Sequence, residues 1–276
     1  MLYHRLGRSG LRVPRLALGT WLTLARIDRS RAADLVSASL DAGVNFFDTA
    51  DVYDRGGAEE VLGGLLAGHR REHLVVATKA FHAMSDDIND CGLSRKHLFE
   101  SIHASLRRLG TDYVDLYQFH RFDTETPLDE TVRAIGDLIR QGKVLYWGTS
   151  MWSAAQLREA CRLADELGVP RPISEQPRYS MLCREIEAEV VPACRELGIG
   201  LLFWSPLAQG MLTGKYRRDA APPAGRPGAE PDRGGGALGP GPPGPPRRGV
   251  GGGVRGGGRG APGGPPRPAR APGRCA

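Results

Sequence analysis

The sequence predicts an α/β fold, a barrel of parallel strands with helices between them. Three observations point to it. Strand-like apolar runs alternate with helix-like periodic runs along the first 218 residues. Several of these runs, such as Val44–Phe47 and Ile199–Phe203, are continuously apolar, as strands buried on both faces are. Polar residues (Asp48, Lys79, His120, Ser150, Gln176, Ser205) recur at the C-terminal ends of successive runs. An open doubly wound sheet is the alternative, but its glycine fingerprint is missing: Gly19-Thr20-Trp21-Leu22 follows the first strand where GxGxxG would stand.

The strands are expected at 15–20, 44–49, 74–79, 113–119, 144–149, 172–176 and 199–204. Tyr3–Val13, turning at Gly7-Arg8-Ser9-Gly10, reads as a hairpin ahead of the first of them. One helix is expected from Ser94 as N-cap through Leu98, Ile102, Leu106 and Leu109, with Gly110 after it. A second runs from Ser153 to Leu167 with Leu157, Ala160, Cys161 and Ala164 on one face, and a third from Arg184 to Leu197, ended by Gly198. The eighth βα unit has no counterpart in the sequence. Residues 219–276 hold 19 Gly, 14 Pro, nine Ala and nine Arg, with no aromatic residue. Too little apolar surface is available there to offset the entropy of ordering, so a disordered tail is expected. The codons of those four residues are rich in G and C. A reading-frame shift in a GC-rich gene is our hypothesis for the tail, tested by translating the other two frames. The reading is thus of two parts: 1–218, an incomplete barrel, and 219–276, the tail. Seven strands leave the edges of the first and last without partners, an aggregation hazard.

Charge divides the same way. Residues 1–218 carry 28 basic and 28 acidic residues, so the whole net charge of +6 belongs to the tail. The pI near 9.3 is therefore no argument for nucleic acid. Arg255-Gly256-Gly257-Gly258-Arg259-Gly260 resembles an arginine-glycine RNA-binding tract but lacks the aromatic residues that stack on bases, and no nucleic-acid partner is expected. Five cysteines, none in a CxxC pair, fit a reduced setting better than a disulfide framework or a zinc site. No apolar run approaches the ~20 residues that span a bilayer, and no signal core follows Met1-Leu2-Tyr3-His4-Arg5. The expectation is a cytoplasmic protein without membrane insertion.

Asp48, Tyr53, Lys79 and His120 are the candidate catalytic residues. In a parallel barrel the C-terminal strand ends converge on one mouth. Alone, an Asp after a strand is ordinarily a cap, and a Lys there is solvated. All four at three successive strand ends form a proton donor. Lys79 beside Tyr53 is expected to lower the phenol's pKa from about 10. Asp48 would hold Lys79 charged, and His120 would point a ring N–H at a substrate oxygen. Such a group protonates a carbonyl oxygen as hydride reaches the carbon. Proteins have no hydride donor of their own, so a nicotinamide is implied.

The segments Leu6–Val13, Phe47–Tyr53, Gly92–His97, Gly142–Ser150, Glu175-Gln176 and Trp204–Gly210 resemble the aldo-keto reductase superfamily, in the branch of the potassium-channel beta subunits and their bacterial relatives. The resemblance covers about residues 1–216. It implies a (β/α)8 barrel of TIM type, here truncated after the seventh strand, and NADPH-dependent reduction of aldehydes and ketones. It implies Tyr53 as general acid, Lys79 and Asp48 as its tuners, and His120 as orienter of the carbonyl. It further implies that Ser150 and Gln176 hold the carboxamide and that Trp204 stacks on the nicotinamide. Ser205, Pro206, Leu207, Ala208, Gln209, Gly210 and Lys215 would contact the pyrophosphate and ribose. Gly19, Thr20, Trp21 and Asp48 would lie near cofactor and substrate. Met151 stands where many members have Asn, which suits the channel-subunit branch. The tail matches nothing in the region that grips the 2′-phosphate, so NADP over NAD is inherited from the resemblance alone, and NAD is not excluded. Two alternatives accompany the enzyme reading: a cofactor-sensing subunit of a channel-like membrane partner, and an inactive truncated reductase. The animal members often have Asn where His120 stands, which favours the enzyme. The branch often forms homo-oligomers.

Overall fold

The structure is a computed structural model that describes residues 1–216. The 219–276 tail, with its arginine-glycine tract, lies outside the described residues.

Strands β1 (Tyr3–Arg5) and β2 (Arg12–Pro14) pair antiparallel as the expected hairpin. Seven further strands form one parallel sheet in sequence order: β3 (Leu18–Gly19), β4 (Phe46–Asp48), β5 (Val75–Ala80), β6 (Val114–Phe119), β7 (Val144–Thr149), β8 (Ser174–Glu175) and β9 (Gly200–Leu201). The sheet curls into an incomplete barrel, with β3 and β9 unpaired to each other among the described residues. Helices α1 (Arg29–Asp41), α2 (Gly57–Leu66), α3 (Arg95–Leu109), α4 (Leu128–Arg140), α5 (Ala154–Glu166) and α6 (Val190–Leu197) connect the strands.

Local signals account for the boundaries. Ser94 Oγ accepts from His97 N–H at 3.2 Å, and Gly110 ends α3 at φ +65°. Ser153 and Gln156 make a reciprocal capping box on α5. The third expected helix is shorter than its pattern. It starts at Val190, after a separate 3₁₀ turn at Glu185–Glu187. Pro192 has no N–H to give a preceding turn and is tolerated only in a first turn. The sixth barrel strand is also shorter than expected, because Pro172 and Pro177 bracket it. β9 has one neighbour, and its ladder fades through Leu202 N–H to Glu175 O.

The twofold alternation of strands sorts the sheet into two layers. Phe47, Val76, Tyr117, Phe119 and Trp147 face outward against the helices and form the larger core. Phe46, Val75, Ala77 and Leu116 face inward and pack with Leu6 and Val13 of the hairpin, which therefore plugs the N-terminal end. Gly7 makes the plug possible. It sits at φ +58°, and a Cβ there would lie 2.3 Å from Gly198 O. One inward layer further up, apolar residues give way to Asp48, Lys79 and Gln118.

Candidate active site

Lys79 is fully buried, and each of its three N–H donors has an acceptor. Nζ lies 2.6 Å from Asp48 Oδ2, 2.9 Å from Thr49 O and 3.4 Å from Tyr53 Oη. The other Asp48 oxygen accepts from Gln118 Nε2 and Gln176 Nε2, each at 3.1 Å. The carboxylate is thus held from three strands at once.

Tyr53 is carried by the loop that leaves β4. Thr49 N–H bonds Ala77 O and Asp51 N–H bonds Lys79 O, so the loop still follows β5. Asp51 then accepts from Val52 N–H at 2.6 Å and from Ser101 Oγ of α3 at 2.9 Å. Directly after Tyr53, Asp54 and Arg55 stand at φ +52° and +51°, a region that non-glycine residues rarely occupy. Such strain persists where surrounding contacts over-determine it. His120 follows β6, with its ring centroid 5.7 Å from that of Tyr53 and 4.7 Å from that of His82.

Electrostatics differ from the simplest expectation. Burial pushes the Tyr53 phenol above its ordinary pKa, and the nearby Lys79 only partly offsets this. The expectation of a lowered phenol is corrected: loss of water around the phenolate outweighs the ammonium at 3.4 Å. Burial also opposes charge on Lys79, but Asp48 and Tyr53 outweigh it and raise its pKa. Burial, followed by Lys79, His82 and Arg121, drives His120 well below the usual imidazole value, so its ring is neutral.

The other expected residues fall around this group. Trp21 bridges Tyr53 and Trp204, with ring centroids 6.4 and 6.2 Å away. Gly19 ends β3. Thr20 is buried and bonds Thr49 Oγ1 at 2.8 Å. Ser150 donates to Gln176 O at 2.8 Å, tying the β7 and β8 ends together. The segment Ser205–Gly210 coils through left-handed conformations at Ser205, Ala208, Gln209 and Gly210. Pro206 borders a separate cavity of about 320 Å³ lined also by Tyr179, Met181, Arg184 and Phe203. Leu207 is exposed. Lys215 folds over Gly210, where a Cβ would lie 2.7 Å from its Cε, and it makes no ion pair among the described residues. Trp152 is buried against Phe119 and Phe122 rather than lining the mouth.

Sequence reasoning missed Gln118 and Arg121. Gln118 was legible: it lies two residues beyond the inward Leu116, so it faces inward at the layer of Lys79. A second buried polar group also went unread. Glu59 of α2 accepts from Thr78 Oγ1 at 2.5 Å and from Arg108 Nε of α3 at 2.7 Å.

No helix among the described residues is long and apolar enough to cross a membrane. The aldo/keto reductase family pattern matches residues 15–232. The chain is 48% identical over 226 residues to a probable voltage-gated potassium channel subunit beta of Oryza sativa subsp. japonica, covering 80% of this chain and 69% of the relative. The same figures hold for the Arabidopsis thaliana protein of that name. A putative voltage-gated potassium channel subunit beta of Schizosaccharomyces pombe is 41% identical over 220 residues, covering 78% of this chain and 64% of the relative. The chain belongs to the aldo/keto reductase family.

Proposed function

We propose that the chain reduces aldehydes and ketones to alcohols with NADPH as hydride donor, and that Tyr53 is the general acid. The supporting observation is the relay from Asp48 through Lys79 to Tyr53, closed within 3.4 Å beside a neutral His120. Tyr53 keeps its proton until a carbonyl oxygen gains charge. Lys79 then stabilises the phenolate, and His120 donates a ring N–H to the same oxygen.

The donor set suits a dinucleotide. Trp204 offers a ring at the mouth, Ser150 and Gln176 stand at adjacent strand ends, and Lys215 offers a cation beside the turn at Gly210. When bound, the nicotinamide supplies the hydride. Purified protein should oxidise NADPH with an aromatic aldehyde, and Tyr53→Phe should stop it. Undiminished turnover in that variant would remove Tyr53 from the mechanism.

The names of the relatives favour a second reading, a cofactor-sensing partner of a channel. Co-purification with a channel-like membrane protein, without turnover, would establish it over the enzyme. The third reading, an inactive incomplete barrel, predicts no quenching of Trp fluorescence by NADPH.

A further inference from the structure

Arg121 follows His120 and is half-buried at the mouth. Only one of its five N–H groups has a bond within the described residues, from Nη1 to His120 O at 2.6 Å. It makes no ion pair among those residues. Its charge reaches Tyr53, His120 and Glu175, which belong to the loop after β4, the end of β6 and the end of β8. The bond from Nη1 to His120 O holds the guanidinium at the end of β6, next to a candidate catalytic residue.

The nearby acids are committed elsewhere. Asp123 accepts from Leu93 N–H, Thr126 Oγ1 and Glu125 N–H. Glu175 accepts from Thr149 Oγ1 and Trp152 N–H. Removing an arginine from water without a carboxylate in contact is unfavourable, and burial outweighs the more distant Tyr53 and Glu175 and weakens its hold on the proton. A guanidinium with four N–H groups to spare has the planar fork that pairs with a carboxylate.

Resting on the reductase reading, we propose that Arg121 binds a carboxylate on the substrate, so that the site prefers aldehydes carrying an anionic group. The carbonyl oxygen would face Tyr53 and His120 while the carboxylate takes the fork.

The test compares 4-carboxybenzaldehyde with methyl 4-formylbenzoate in the full chain and in Arg121→Met and Arg121→Lys. The acid-over-ester ratio of kcat/KM should fall about 10-fold to 100-fold in Arg121→Met, as loss of a charge-assisted pair implies. The change should sit in KM for the acid, and Arg121→Lys should fall between. An unaltered ratio in Arg121→Met would overturn the proposal. If that variant does not fold, a wild-type ratio in Arg121→Lys overturns it instead, because an ammonium cannot reproduce the fork. Binding of terephthalate, followed by Trp fluorescence, needs no turnover. Weaker binding by about the same factor in Arg121→Met, with Arg121→Lys between, supports the anion site even if neither aldehyde is reduced, in which case the reductase reading alone fails. Equal terephthalate binding by all three proteins would end it.

Discussion

Replacing Lys79 by Met separates what the ammonium does for stability from what it does for chemistry. The side chain is fully buried and its partner Asp48 is 16% exposed. Breaking a buried pair by removing one member costs about 3 to 5 kcal/mol, because the remaining charge is uncompensated. Asp48 keeps two amide donors, Gln118 and Gln176, and a little water, so the lower end of about 3 kcal/mol applies. Adding Asp48→Asn removes the stranded charge and should restore about 1 to 2 kcal/mol of that loss. Urea unfolding followed by Trp fluorescence measures both variants against the parent. If the double variant is no more stable than Lys79→Met, the carboxylate was not left stranded, and the argument for a buried pair fails. Both variants should also lose about 100-fold to 10,000-fold in NADPH oxidation, the range for loss of acid catalysis. Recovery of stability without recovery of rate would show that the pair serves the chemistry rather than the fold.

Tyr53→Phe removes one acceptor of Lys79 and should cost about 1 kcal/mol in urea unfolding while abolishing turnover. Burial, then Glu59, raises Asp51 to about 7 from 3.8. A carboxyl raised on folding contributes stability that is full below its unfolded pKa and is lost as pH rises through its folded value. Asp51→Asn should therefore gain on the parent from about pH 4 to pH 7 and level off above, by at most about 4 kcal/mol at about 1.4 kcal/mol per unit; a pH-independent difference in urea midpoints would refute this. His120 has the opposite sign, since its folded value is depressed, so its contribution is intact above the unfolded value near ~6.5 and declines as pH falls below it. A His120→Asn variant should lose less stability than the parent between about pH 6.5 and pH 5. Gly7→Ala forces a Cβ to 2.3 Å from Gly198 O at a positive φ and should cost about 3 kcal/mol, with earlier hydrogen exchange in β1 and β2.

Element order and type were legible because the central strands β5 and β6 are buried along their whole length and α3 and α5 carry side-chain caps. The seven strands lie at the expected runs in the expected order, and Ser94 and Ser153 cap α3 and α5. Boundaries were less legible where a proline acts on its neighbours, as Pro192 does in shortening α6 and Pro172 and Pro177 do in shortening β8. Within the site, residues at strand ends were visible because polar groups there contrast with apolar runs. Gln118 was masked by its position inside such a run, although its spacing from Leu116 already set its face. Arg121 was invisible for another reason. Its interest lies in lacking an acidic partner, and that is a property of three-dimensional neighbours, not of sequence.

The raised phenol of Tyr53 changes what Lys79 must do in the reductase reading. A general acid is effective when it still holds its proton at the working pH and releases it as charge develops. Burial ensures the first condition, since the phenol remains protonated throughout the neutral range. The second needs a cation that is close to the oxygen and already fixed, so that nothing reorganises when the phenolate forms. Lys79 meets this because two of its N–H groups are anchored on Asp48 and Thr49 O at 2.6 and 2.9 Å, while the third reaches Tyr53 at the longer 3.4 Å. That long contact leaves room to tighten as negative charge appears. An ammonium bonded closely to the phenol from the start would stabilise reactant and transition state alike and accelerate little. The three-strand grip on Asp48 thus acts on the rate by setting where the ammonium waits.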